Sequence, residues 1–415
     1  MHRASASPIT LRARAGQVNA AAEDLWRHRR GNLIASNKGY ESSSMDEILD
    51  IPFATVSPIA RLDDGILVGG VHDRDGQFVD FARHDRWGSP ITHSGDPEET
   101  LGNESLPLSP QGLYGGIFFN HFGHYLTESL GRLWAVNDDA LRHLPIYVHL
   151  LWGKIDLENS DGYHAISLTS LGIDLKRIVF IKDKLTIERL LVPKLQFWFR
   201  QYGFLNPRFL GFLANSERYI TATVRQVGPL PKKLYVSRTR WDGARGVVVG
   251  EPEFEAFLRD NEYTPIYPET LTLRDQLAHY AAAEAIIFAE GSALHCCMLL
   301  PGLRAKVAII RRRTGGQSVD KGYLIGFTRS IFNIAEVERH LYFGMKDWSG
   351  VAYVDYQKVS QSLVDLGFLE STFANWPLLR DDAEILALSQ FGAAAAKYPE
   401  FDREAYTSFM LTIRQ

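Results

Sequence analysis

Two groups of residues in this sequence have the types and spacing to do chemistry: one could move a proton, the other could hold an anion. The first lies in Leu113-Tyr-Gly-Gly-Ile-Phe-Phe-Asn-His-Phe-Gly-His-Tyr-Leu-Thr-Glu-Ser-Leu-Gly-Arg-Leu-Trp134. His124 and Glu128 are four apart, so on a helix they share one side. A carboxylate beside an imidazole orients the ring and supports the imidazolium formed when it takes a proton, which makes His124 a candidate general base with Glu128 as its partner. Asn120 and His121 precede them. The same letters also suit an ordinary surface pair, or a zinc site built on His121, His124 and Glu128. Zinc would call for H-E-x-x-H or a third histidine at suitable spacing, and the stretch has neither.

The second group surrounds Ala285-Ile-Ile-Phe-Ala289, an apolar run that reads as a buried strand. It breaks at Glu290-Gly291 and continues as a helical run, Ser292 to Leu300, closed by Pro301-Gly302. A strand, a glycine turn and a helix start offer free backbone N–H groups at the positive end of a helix dipole. Gly291, Ala293 and Leu294 would supply backbone donors, and Ser292 and His295 side chains as well. Many such joints bind nothing, so neighbouring loops have to carry the argument. Arg238-Thr-Arg240 follows the strand Lys233 to Ser237 and offers guanidinium forks for phosphate. Glu269 follows the strand Tyr263 to Tyr267, where a carboxylate can accept from a ribose diol. Ligands of open parallel sheets bind beyond the carboxyl ends of the strands, so these three loops converge. By contrast, Asp73-Arg-Asp-Gly76 reads as the turn of a hairpin between Gly65–His72 and Gln77–Phe81, and not as a metal-holding D-x-D.

The elements that must position these groups alternate strand and helix. In the first half, 145–151 and 177–181 read as strands around a helix at 164–171, with a further helix at 205–220 and a linker at 225–231. The second half is a cleaner β-α-β-α-β-α-β series, which makes a Rossmann-like unit. The expected architecture is α/β: a flexible arm at 1–50, a Rossmann-like domain at 51–222, a second at 232–330, and a helical extension at 331–415 that could pack back across the first. The glycine-bearing front of 113–134 reads as a loop and its back as a helix with Leu126, Leu130, Leu133 and Trp134 on its apolar face.

Composition narrows the classes. Of 415 residues, 45% are hydrophobic, ample for sizeable cores and against global disorder. A net charge of -4 argues against nucleic acid as a general partner. The only cysteines, Cys296 and Cys297, are adjacent inside the candidate helix and poorly placed for a disulfide, so a reducing, cytosolic setting is expected. No run of about 18 apolar residues marks a membrane span, and residues 1–30 lack the apolar segment of a secretory signal.

With both groups in hand, the chain resembles glycosyltransferase family 61, in particular its bacterial capsular-polysaccharide type. The resemblance rests on Asn120-His-Phe-Gly-His-Tyr-Leu-Thr-Glu128, similar to the family's N-x-x-x-H-x-x-x-E segment. It rests also on Leu234-Tyr-Val-Ser-Arg238 with Arg245 and Glu251, and on Tyr267-Pro-Glu-Thr-Leu271 with Gln276, running into Gly291-Ser-Ala-Leu-His295. It covers roughly 112–310. Gly250 stands where the family usually has Asn, Glu290 where many relatives carry His, and Cys296 where Asn is common. The resemblance implies a GT-B architecture, two Rossmann-like domains facing a cleft. It implies inverting transfer from a nucleotide-sugar co-substrate to an oligosaccharide or polysaccharide acceptor, with no metal or other cofactor. His124, Glu128 and His121 would be catalytic. Asn120, Arg238, Arg245, Glu269 and Gly291–His295 would bind the nucleotide-sugar. The implied setting is cytoplasmic, with peripheral association at the inner membrane face left open. Two other readings stay open at this point: a metal-dependent hydrolase using His121, His124 and Glu128, and a non-catalytic nucleotide- or glycan-binding scaffold.

Overall fold

A computed structural model of the chain describes residues 47–62, 66–86, 89–94, 108–196, 206–314, 328–374 and 380–415. By its internal contacts the chain divides into Met1–Ile48 and Leu49–Gln415, and the candidate site belongs to the second unit. The expected arm at 1–50 lies almost wholly outside the described residues, as do 95–107 and 315–327.

The strands of the first half are β1 (Ile48–Arg61), β2 (Leu67–His72), β3 (Asp85–Arg86), β4 (Ser89–Pro90), β5 (Thr92–His93), β6 (Leu108–Phe119), β7 (Ile146–Leu151), β8 (Ile178–Phe180) and β9 (Leu185–Pro193). Seven of them form one sheet ordered β5-β2-β1-β9-β6-β7-β8, and β3 with β4 makes a separate small hairpin. β6 runs parallel to β7 and to β9, and β8 parallel to β7, as a doubly wound sheet requires. On the other side β1 and β2 are antiparallel, which a purely parallel reading does not anticipate.

The glycine-bearing front of 113–134, expected as a loop, is β6. Leu113, Tyr114, Ile117, Phe118 and Phe119 are all buried, and a strand covered on both faces is apolar throughout rather than alternating. The helical back is tighter than expected in one place and wider in another. Phe122–His124 forms one α-turn, Tyr125–Ser129 a π-turn, and Leu133–Asn137 a 3₁₀ turn. Leu126, Leu130, Leu133 and Trp134 are buried as the apolar spacing predicts. Asp73 does close a turn, its Oδ1 accepting from the N–H groups of Asp75 at 2.9 Å and Gln77 at 2.8 Å. Beyond it only a bridge between His72 and Phe78 and a 3₁₀ turn at Asp80–Ala82 replace the expected second strand.

In the second half the strands are β10 (Lys233–Val236), β11 (Val248–Val249), β12 (Thr264–Ile266), β13 (Ala285–Ala289), β14 (Leu303–Ile310), β15 (Thr328–Ile334), β16 (Val337–Leu341) and β17 (Val351–Val354). The main sheet, β12-β10-β13-β14-β15, is parallel throughout. β13 sits at its centre with every residue buried. Ile286, Ile287 and Phe288 each contribute about 1.5–3 kcal/mol by leaving water. β15 forms one edge of this sheet, beyond β14. β11, β17 and β16 form a further three-stranded sheet, hidden from sequence reading by the Glu338-Arg339-His340 interruption of β16.

Helices Glu251–Asp260 and Leu273–Ala282 connect the strands as expected. Gly250, before the first of them, has φ +77 and ψ 10, the left-handed conformation that Gly and Asn tolerate best. The Gly-for-Asn difference noted above is therefore a conservative one for the backbone. Helix Asn215–Val227 reaches into the stretch expected as a linker. The late helices Arg380–Ala395 and Arg403–Ile413 bury Leu388, Phe391 and Met410 in one core with Tyr235, Val249 and Tyr353. They thus pack on the second half, where packing back across the first was expected.

Candidate active site

The proton-handling group sits where β6 ends. Asn120 leaves the strand, and the α-turn and π-turn that follow bring His124 Nδ1 against Glu128 Oε1 in a short hydrogen bond. The Glu128 side chain is wholly inaccessible while that of His124 keeps 31% exposure, so of the pair only the histidine can reach a substrate. Glu128 Oε2 accepts from Arg86 Nε at 2.8 Å, and His84 Nε2 stands 3.5 Å from the same oxygen. Burial alone would push the Glu128 carboxyl up. The hydrogen bond from His124, the nearness of His84 and the Arg86 charge override it and hold the group well below the usual carboxylate range. Burial also lowers His84, so Arg86 is the cation that balances Glu128.

His121 packs edge-on to His124 with ring centroids 4.9 Å apart. Burial, then the charges of His124 and Arg245, push His121 down to about 4, so it is neutral near pH 7. Its Nδ1 is buried without a hydrogen-bond partner. Asn120 Oδ1 takes a 3.4 Å hydrogen bond from the Tyr163 hydroxyl. Trp152, next after β7, lies 4.9 Å from His124 and 4.9 Å from Phe119, ring centroid to centroid.

The anion group lies at the carboxyl edge of the parallel sheet. Ser292–Leu299 winds as 3₁₀ turns, not the expected α-helix, and Leu294 to Leu299 are all buried. The cap position belongs to Gly291, and no side chain caps the segment. The Ser292 hydroxyl instead faces the first half. A Cβ placed on Gly123 would come 3.1 Å from Ser292 Oγ and 3.4 Å from His295 Cδ2. The two stretches singled out by sequence are therefore in contact. His295 is buried and pushed down to about 3, first by burial and then by the nearby charges of His124, His121 and Arg313.

Arg238 passes behind this turn. A Cβ on Gly291 would meet its Nη1 at 2.7 Å, so a side chain there would displace the guanidinium. Its Nη2 donates to the Arg245 carbonyl at 2.8 Å and to that of Gly246 at 3.2 Å, while Nε is buried without a partner. Burial lowers Arg238, and the carboxylates of Glu251, Glu290 and Glu269 act the other way. Arg240, the other expected fork, is exposed and stacks on Tyr267 at 3.8 Å. Arg245 lies 5.5 Å over the Trp348 ring and close enough to act on His121. Glu269 is exposed at the next strand end.

Two carboxylates prove to be internal. Glu251 accepts from the Tyr235 hydroxyl at 3.0 Å and from the Arg238 N–H at 2.8 Å, which fixes the Arg238 loop. Glu290 accepts from the Arg312 N–H at 2.9 Å and from Arg313 Nε at 2.9 Å. Burial pushes Glu290 up, and the Arg313 and Arg312 charges more than offset this. A carboxylate beside the candidate anion cradle is thus neutralised from behind.

Sequence reasoning missed His84, Arg86, Trp152, Arg312 and Arg313. Arg311-Arg312-Arg313 directly after a buried strand was a legible signal for a basic strand edge. Nothing in the sequence ties His84 or Arg86 to Glu128, some forty residues on. Among the described residues no group of three or more His, Cys, Asp or Glu side chains is arranged to hold a metal ion, and both Glu128 oxygens are already engaged. Cys296 and Cys297 are buried and unpaired with each other. Among the described residues no helix is long and apolar enough to cross a membrane.

The α/β fold thus brings a histidine–carboxylate pair close to an arginine-rich strand edge, a general-base candidate beside donors that suit an anion. Residues 122–310 match the family model described as Glycosyltransferase 61, a span just under half of the chain that contains His124, Glu128 and the Gly291–His295 turn. The match supports a glycosyltransferase. A search among curated proteins finds no match.

Proposed function

We propose that the protein is an inverting glycosyltransferase of GT-B type that moves a sugar from a nucleotide-sugar to a glycan acceptor without a metal, in the synthesis of a surface (capsular) polysaccharide. The observation that carries this reading is the contact of Gly123 with Ser292 and His295, which sets the candidate base beside the candidate anion cradle. In the reaction an acceptor hydroxyl oxygen attacks the anomeric carbon. Its bond to that carbon forms as the bond to the diphosphate oxygen breaks, with inversion. Glu128 holds Nδ1 of His124, so Nε2 is the nitrogen that takes the hydroxyl proton. The negative charge that develops on the leaving diphosphate meets Ser292, the N–H groups of Ala293 to His295, and Arg238 and Arg245. Asn120 and His121 contact the sugars, and Glu269 the ribose. The buried, ionised Glu128 acts as orienter, because it has no exposed surface with which to reach substrate.

The test is to incubate the purified chain with a panel of nucleotide-sugars and oligosaccharides and to follow release of nucleoside diphosphate. Release that depends on one donor and is accelerated by an acceptor supports the reading. A chain that binds nucleotides and never turns over would favour the scaffold.

A further inference from the structure

Trp152 is built in a way that packing alone does not require. It is 46% exposed, although burying it would be the ordinary fate of an indole this close to a core. Among the described residues it is also one of four non-glycine residues held at positive φ, +66, and the next residue, Gly153, has φ +110. Such backbone is uncommon for a bulky residue and persists only where surrounding structure fixes it. Here the clamp is visible. A Cβ on Gly153 would lie 3.0 Å from Asn120 Nδ2, so the turn is pressed onto the strand end that carries Asn120. The indole meets Phe119 at 4.9 Å with a 52° tilt and His124 at 4.9 Å with a 75° tilt. The Arg86 guanidinium, already fixed by Glu128, lies 5.6 Å over the indole ring.

We infer that Trp152 is the aromatic platform on which the acceptor sugar stacks while its hydroxyl faces His124. The inference rests on the transferase reading above. A flat, rigid ring with few rotatable bonds buries a pyranose C–H face at little entropic cost, the quality that makes Trp a frequent hot spot. The platform belongs to the acceptor because it rises from the end of β7 against His124, the candidate base that the acceptor hydroxyl must reach. The strained turn holds the indole out of the core and at the rim of the candidate base. Trp152 touches substrate and does not take the proton.

The test compares wild type with Trp152→Gly and Trp152→Tyr on an array of immobilised neutral and acidic oligosaccharides, with nucleoside diphosphate affinity measured by calorimetry alongside. Trp152→Gly accepts a positive φ without strain, which offsets part of the packing it loses against Phe119 and Arg86. The expected result is a loss of glycan binding by roughly tenfold or more in Trp152→Gly, largely restored in Trp152→Tyr, with nucleoside diphosphate affinity unchanged. Equal glycan binding by wild type and Trp152→Gly, or a parallel fall in nucleotide affinity, would overturn the platform. Failure of the transferase reading shows differently, as a wild type that binds glycan through Trp152 yet releases no nucleoside diphosphate from any nucleotide-sugar.

Discussion

Replacing Glu128 by Gln leaves Arg86 facing a neutral amide in a place where its side chain is only 19% exposed. Removing one partner of a buried ion pair costs about 3–5 kcal/mol, because the other charge stays behind without compensation. The residual exposure of Arg86 puts the expected loss at the lower end, about 3 kcal/mol. Arg86→Met should cost a similar amount, since it strands the Glu128 carboxylate. The double variant removes both charges, so its loss should fall short of the sum of the singles by about 2–3 kcal/mol. The assay is urea unfolding of the four proteins at neutral pH. Losses that add to within about 0.5 kcal/mol would refute the pairing. Activity supplies a second axis. Glu128→Gln disturbs the hydrogen bond to His124 directly and should lower transfer by about 10²–10⁴-fold, the range of general base catalysis. Arg86→Met keeps that hydrogen bond and should lose much less.

Arg238→Ala should weaken nucleoside diphosphate binding by at least about tenfold, as expected for loss of a charge-assisted contact; unchanged affinity by calorimetry would remove Arg238 from the cradle. Stability should fall as acid is added well before the carboxylates titrate. His149 and His295 are each held down to about 3 by burial, so their folded values lie below the unfolded one. Their contribution is complete above about 6.5 and is lost as pH falls below it, about 1.4 kcal/mol for each group by about pH 5.5. An unfolding midpoint that does not move between neutral pH and about pH 5.5 would contradict this. Transfer should survive exhaustive EDTA treatment; a loss restored by added Mn²⁺ or Mg²⁺ would contradict metal independence.

Much of the second half was legible because parallel strands covered on both faces leave unbroken apolar runs. Ala285–Ala289 announces itself, and the loops after β10, β12 and β13 follow from topology. β6 was misread because Gly115 and Gly116 inside Leu113–Phe119 look like loop punctuation, and the burial that overrides them is a tertiary fact. The His124–Glu128 pair followed from i, i+4 spacing, which the α-turn and π-turn preserve closely enough to bring the side chains together. What spacing could not supply is the far side of each carboxylate. Arg86 behind Glu128 and Arg313 behind Glu290 are long-range partners, and without them a buried carboxylate looks misplaced. Trp152 gave no signal because left-handed backbone at a non-glycine residue is invisible in sequence.

The central claim is that His124 takes the proton while the Gly291–His295 turn holds the diphosphate, two tasks in two places. The direct measurement is a paired assay of wild type and His124→Ala, nucleoside diphosphate affinity by calorimetry and sugar transfer by release of that diphosphate. The account predicts affinity within about twofold of wild type and transfer reduced by about 10²–10⁴-fold. Transfer near the wild-type rate in His124→Ala would contradict it.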